Sequence, residues 1–315
     1  MIHKRFIPLC AALLMALTAA SARASDGRLD VVVSIKPIHA LVAGVMQGVG
    51  TPHLLLNDQQ SPHHFALKPS QARLLQQAEL VFWVDPSLET PMPALLASLA
   101  PRAIDIRFMA DQDLVRYQNK ISEDSDDGHE GHCDHGDHGR GHMVNPHIWL
   151  DLENARRMVW SIAATLSAVD PQHAGAYASN AAKLDKRLVD LHEVAKRQFA
   201  SIQRNKFIVQ HDAFIYIERQ FKLPRGLVIA RDHDTPPGTA HLQHLRDLVA
   251  AGVVSCIFDE PQGAGHQIDI VAGTSFVRRA TLDAVGVGLP AGPDLYFDMM
   301  RANYAAFADC LAGTH

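Results

Sequence analysis

Twice along this chain, short apolar runs of strand length alternate with stretches of helical periodicity, and one long amphipathic segment separates the two series. In the first series strand-like runs fall at 29–35, 52–56, 80–84 and 103–106, with helical stretches at 38–47, 69–78 and 93–99 between them. In the second, strands are expected at 206–209, 227–229, 253–258 and 280–283, and helices at 214–221, 240–251, 268–278 and 294–310. Strands that alternate with helices in this way predict parallel sheets covered by helices. Between the series, Asp170-Pro171 opens about thirty residues that hold no Pro and only one Gly, with Ala181, Leu184, Leu188, Leu191, Val194 and Ala195 at three- and four-residue spacing. That spacing predicts a long helix with Asp170 as N-cap and Pro171 in its first turn. The expected fold is α/β, with two (β/α)4-type lobes on parallel sheets joined by a long backbone helix. The expected divisions are a first lobe over 25–168, the linking helix over 169–203 and a second lobe over 204–315.

Residues 1–24 stand apart from this rhythm. Lys4 and Arg5 precede an apolar run from Phe6 to Ala20, and Ala22-Arg23-Ala24 follows it. Charge, apolar run and A-x-A in that order are the marks of a secretory signal peptide, with cleavage expected after Ala24. The run is shorter than the ~20 residues of a spanning helix, and Cys10 lies inside it rather than at its end. Cleavage would remove Lys4, Arg5 and Arg23 and no acid, taking the formal net charge from −5 to −8. An acidic chain without basic runs argues against a nucleic-acid partner and suits a cation.

Export also bears on the three remaining cysteines, Cys133, Cys256 and Cys310. In an oxidising compartment a bridge between two of them is expected, with three free thiols as the alternative. A bridge closing the loop between Cys256 and Cys310 would contribute roughly 4 kcal/mol on the chain-entropy model. Cys133 sits in a different setting. Residues 122–142 hold five His (His129, His132, His135, His138 and His142) and Cys133 among acids and glycines, with almost nothing apolar. Such a composition cannot build a core and reads as a loop.

Elsewhere, metal-capable side chains fall where strands end. His63 and His64 lie between a strand and the helix opened by Pro69, and His147 follows Asn145-Pro146 and precedes Trp149, which could wall a site. His211 closes a strand, and Asp283 closes a later one. In open α/β sheets ligands gather at the carboxyl ends of strands, so His63 and His147 from one lobe would meet His211 and Asp283 from the other. Three imidazoles with a carboxylate or water suit tetrahedral Zn2+, whereas Mn2+ or Mg2+ would favour more oxygen. His233, His241 and His244 read as ordinary surface histidines.

Several segments together resemble the zinc-uptake branch of the cluster A-I metal solute-binding proteins, the receptors of ABC transporters. They are Ser34-Ile35-Lys36-Pro37, His63 through Ser70, Asn145-Pro146-His147-Ile148-Trp149-Leu150, Gln210-His211-Asp212-Ala213-Phe214, Phe258-Asp259-Glu260-Pro261-Gln262 and Thr281-Leu282-Asp283. The resemblance implies two α/β lobes on a rigid backbone helix and His63, His147 and His211 as zinc ligands. Manganese-type relatives have glutamate at the third of these positions. Asp283 corresponds to a carboxylate that is a ligand in some members and more distant in others. Pro62 stands where some zinc-type members carry a further glutamate, so a fourth ligand would be Asp283 or water. The resemblance also implies a Cys256–Cys310 disulfide, a secondary metal role for His129, His132, Cys133, His135, His138 and His142, and a structural turn at Glu260-Pro261-Gln262. The function expected is a monomeric periplasmic receptor, not an enzyme, that captures Zn2+ and passes it to an inner-membrane ABC permease. The alternatives are a manganese or iron receptor of the same fold and a secreted zinc-dependent hydrolase. No H-E-x-x-H pair supports the hydrolase, and Glu260 is the nearest candidate base.

Overall fold

The computed structural model describes residues 29–58, 60–111, 113–117, 144–200, 202, 205–230, 236–262 and 265–312. The expected signal peptide, the histidine-rich segment 122–142 and His233 lie outside the described residues.

Strands β1 (Val31–Val33), β2 (His53–Leu54), β3 (Leu80–Trp83) and β4 (Ile104–Arg107) form an all-parallel sheet in the order β2-β1-β3-β4. Strands β5 (Lys206–His211), β6 (Leu227–Ala230), β7 (Val254–Asp259) and β8 (Arg278–Thr281) form a second, in the order β6-β5-β7-β8. Helices α1 (Lys36–Val45), α2 (Pro69–Gln77) and α3 (Met92–Leu99) serve the first sheet, and α6 (Ile215–Gln220), α7 (Thr239–Ala250) and α8 (Gly265–Ala272) the second. The expected α/β architecture with two parallel sheets is the observed one. Among the described residues, no helix is long and apolar enough to cross a membrane.

The connection between the sheets is richer than the sequence reading. A long helix, α5 (Ala174–Phe199), is present, and it packs against a second one, α4 (Leu152–Val169), for which no helix is expected above. In α4 the apolar stripe is blurred, because Asn154 is buried on the inner face and Trp160 is exposed on the outer one. The turn between the two is a short 3-10 helix over Pro171–His173. Asp170 does not cap it by side chain: its carboxylate instead accepts from His173 Nδ1 and the Tyr177 hydroxyl, each at 2.7 Å. The hairpin is pinned midway by Arg156 and Asp185, with Nε 2.7 Å from Oδ1. Helix α8 is also shorter than expected. Gly273, with φ 54° in the left-handed region, ends it, and residues read as its last turn lead into β8.

Side-chain alternation shows where the core lies. Phe207 and Val209 of β5 and Cys256 and Phe258 of β7 face one large cluster, whereas Ile208 and Ile257 face a smaller one against α7 and α8. That is the period of two expected of strands. The large cluster also takes in Val31–Val33, α4, α5 and the closing helix α9 (Leu295–Leu311), so one apolar core runs beneath both sheets. Helix α9 lies against α1, α5, β7 and β8. Cys310 of α9 is bonded to Cys256 of β7 with Cα atoms 5.8 Å apart, closing a 54-residue separation. A bridge over that length contributes roughly 4 kcal/mol.

One buried carboxyl lies beneath the first sheet's carboxyl edge. Glu89 Oε2 accepts the Val84 and Asp85 N–H groups at 2.7 and 3.1 Å. Complete burial raises its pKa to about 7; the Ser34 hydroxyl and those two amides offset part of this, and the charge of Asp85 adds to it. The folded protein therefore holds this proton where the unfolded chain has lost it, and stability falls as pH rises from the unfolded value near 4.5 through about 7. Glu89→Gln keeps the acceptor oxygen and removes the ionisation. Urea midpoints measured from pH 4.5 to 8 should decline less in this variant than in the wild type; parallel curves would refute the assignment.

Candidate metal centre

Three imidazoles converge where the carboxyl ends of the two sheets face each other. His63 lies on the loop from β2 to α2, and Pro69 opens that helix where a missing N–H costs nothing. The loop is braced from α2: Gln71 donates to Gln60 Oε1 at 2.6 Å and to the Leu55 carbonyl, and Gln60 Nε2 donates to Ala66 O at 3.0 Å. His147 follows Pro146 and enters a 3-10 turn over Ile148–Leu150, after which Asp151 caps α4 through the N–H groups of Glu153 and Asn154 at 2.8 and 3.0 Å. His211 is the last residue of β5, the strand between β6 and β7. His147 and His211 are buried and His63 is half-buried.

One ligand atom from each of His63, His147 and His211 lies within 4.8 Å of the others. The Nε2 atoms of His147 and His211 are 3.3 Å apart. Their rings are oriented from behind by oxygen acceptors. His211 Nδ1 is 2.6 Å from Glu260 Oε1, with both side chains buried. His147 Nδ1 is 3.0 Å from Asn145 Oδ1. Asn145 is itself fixed, because its amide donates to the Asp212 carbonyl and its own carbonyl accepts the Tyr216 hydroxyl at 2.6 Å. With a carboxylate and an amide oxygen as partners, each ring carries its proton on Nδ1 and turns Nε2 to the cluster. Trp149 walls the His147 side at 5.3 Å between ring centroids, and its indole N–H donates to Ala284 O at 2.8 Å.

Asp283 lines the same pocket and lies outside the three-histidine group. Its Oδ1 accepts the N–H groups of Val285 and Gly286 at 2.9 and 2.8 Å, and its Oδ2 that of Val287 at 2.6 Å. Burial raises its pKa, the three amides offset part of the rise, and the charge of Glu260 adds to it. Asp212, next to His211, is turned to Arg225, which also pairs with Glu218 at 2.7 Å. His64 is exposed, and His241 Nε2 meets the Val228 carbonyl at 2.8 Å from an exposed position. The secondary set His129, His132, Cys133, His135, His138 and His142 falls outside the described residues. The sequence reading of Glu260 as part of a structural turn leaves out its contact with His211. The signal was its place just beyond β7, the neighbour of β5, which brings it level with that strand's last residue.

With this geometry in place, the likeness to known proteins is specific. Residues 31–310 match the family model for the zinc-uptake complex component A, periplasmic, ZnuA. The high-affinity zinc uptake system protein ZnuA of Paracoccus denitrificans is 35% identical over 330 residues, covering 99% of each chain. Among solved structures, a zinc-bound ZnuA deletion mutant superposes with a TM-score of 0.76 at 20% identity, over 91% of this chain and 100% of that one. The SBP FpvC from Pseudomonas aeruginosa in complex with Mn2+ gives 0.75 at 21% identity, over 90% and 98%. These structures share the fold, and their metals differ. The chain belongs to the ZnuA family of periplasmic zinc-uptake components, which are solute-binding proteins and not enzymes.

Proposed function

We propose that the protein captures Zn2+ between its two sheet-bearing halves through His63, His147 and His211, and releases it to an inner-membrane ABC permease. The observation that carries this reading is the spacing of the imidazole nitrogens. On a tetrahedral zinc ion with bonds of about 2.0–2.1 Å, neighbouring nitrogen ligands stand about 3.3–3.4 Å apart. The Nε2 atoms of His147 and His211 have that separation, 3.3 Å, and His63 borders the same space. Three nitrogens and no carboxylate in the group favour zinc over manganese. The FpvC complexes with Mn2+ and Ni2+ share the fold alone and leave the donor set as the argument. Asp283, with its oxygens engaged by three amides, is the fourth ligand only if it gives some of them up; water fills the position otherwise. The same reading takes 1–24 as a leader, 25–168 and 204–315 as the lobes, 169–203 as the linking helix, and the working unit as a monomer in the periplasm.

Competition titration with a chromogenic chelator tests the site. One tightly held zinc per chain is expected. Each single variant His63→Ala, His147→Ala and His211→Ala should lose more affinity than the ~10–100-fold typical of removing a supporting partner. Tight binding retained by the triple variant would sink the assignment.

Glu260 gives a finer check. A carboxylate behind a ligating imidazole fixes its tautomer and raises its basicity. Glu260→Gln keeps an acceptor and loses the charge, so zinc affinity should drop about tenfold with the stoichiometry unchanged. Unaltered affinity would mean that the contact only packs the turn.

We take the histidine-rich segment, through His129, His132, Cys133, His135, His138 and His142, as a second, weaker metal site or a collector that raises zinc near the cleft. Deleting 124–142 should abolish the weak phase of a zinc titration by calorimetry and leave the tight phase. Loss of the tight phase would make the segment a primary source of ligands.

A further inference from the structure

The Ser34-Ile35-Lys36-Pro37 stretch has no part in holding an ion, yet its lysine is placed with unusual completeness. Lys36 begins α1 after β1 and Ser34-Ile35, and its side chain is 8% accessible. An ammonium has three protons to donate, and Lys36 Nζ has three acceptors. One is the carboxylate of Asp58, in the same half of the molecule. The other two are the carbonyls of Gly286 and Leu289, at 2.8 and 2.7 Å, on the loop that follows β8 in the other half. Asp58 adds to the same grip, since its second oxygen accepts the Gly288 N–H at 3.1 Å and its carbonyl accepts from Gln262 Nε2 at 3.3 Å. Gly286 and Gly288, with φ of 77° and 76°, give the loop the left-handed turns that aim these groups.

The far end of that loop is the wall of the histidine pocket. Asp283, Ala284 and Val285 line it, and Asp283 gathers the N–H groups of Val285, Gly286 and Val287. Pro62, Gln262 and Val285 border both this pocket and the adjoining one at Lys36 and Asp58, so the two spaces share a wall. Were the loop to draw back, a buried ammonium would lose two of its three acceptors.

We propose that Lys36 and Asp58 form a clasp across the two halves that sets how fast the bound ion leaves. They are positioning residues that act through the 283–289 loop and touch no ligand. The proposal rests on the three-histidine site described above. The bonds that cross the halves run from Lys36 Nζ to two carbonyls and from the Gly288 N–H to Asp58; their loss lets the loop separate sooner, and that is the rate the clasp governs.

The test is stopped-flow release of zinc from the loaded full-length protein into excess chelator, with association measured separately. Lys36→Met keeps the aliphatic stem and removes all three bonds; release should be at least tenfold faster, with association and the single tight site unchanged. Asp58→Asn, at a more accessible position, should release at least threefold faster. Release at the wild-type rate in folded Lys36→Met overturns the proposal. Should that variant not fold, Asp58→Asn decides alone, and a wild-type rate there overturns it equally. Failure of the histidine site reads differently: the wild type itself would then hold no tight zinc.

Discussion

One apolar core, shared by both sheets, is what the arrangement rests on. The helices α4, α5 and α9 are not spacers between two independent domains. Their inner faces join the valines of β1 to the phenylalanines of β5 and β7 in a single buried cluster. Close-packed interiors deform little, so this base holds the two carboxyl edges opposite one another at a fixed setting. The cluster of imidazoles from both halves depends on that setting. Wide hinge opening would have to split the core, so motion is more economical in the loops above it.

Burying imidazoles and carboxyls at this edge needs compensation, because an unpaired buried polar group costs about as much as a lost hydrogen bond or more. Here the compensation is a chain of partners. Glu260 backs His211, Asn145 backs His147, Tyr216 and the Asp212 carbonyl hold Asn145, and Arg225 holds Asp212. Each fixes the orientation of the next. The shape of the cluster is thus set by its protein partners, and a site ordered in this way lowers the ordering cost of binding.

Much of this was legible in the sequence, and the missing parts share a cause. The strands were visible because parallel strands buried on both faces read as unbroken apolar runs, Val31-Val32-Val33 above all. Of the three histidines expected at strand ends, only His211 lies at one; His63 is on the loop between β2 and α2 and His147 enters a 3-10 turn, and the distance among them lies in no local pattern, since they are far apart along the chain. Helix α4 was hidden by a buried Asn154 and an exposed Trp160 on what should have been uniform faces. Glu260 and Lys36 act on groups 49 and about 250 positions away, so residue type alone gave no hint of their partners. Asp170 misled for the opposite reason: an Asp before Pro is the usual sign of a cap, and nearby His173 and Tyr177 both took its Oδ2 instead.

The two sheets have the same strand order, with β1 and β5 in equivalent places. After β1 and Ser34-Ile35 comes Lys36; at the end of β5 stands His211. Two copies of one topology thus present, near the ends of matching strands, a lysine paired with Asp58 and an imidazole. A symmetric pair of halves would offer an ion two equal faces and no preferred side. Here the two sides differ in kind: after β1 a lysine already neutralised by Asp58 ties the loop beyond β8, and β5 ends on one of the three clustered imidazoles. One strand order used twice therefore serves two purposes, bracing a loop on one side and presenting an imidazole on the other.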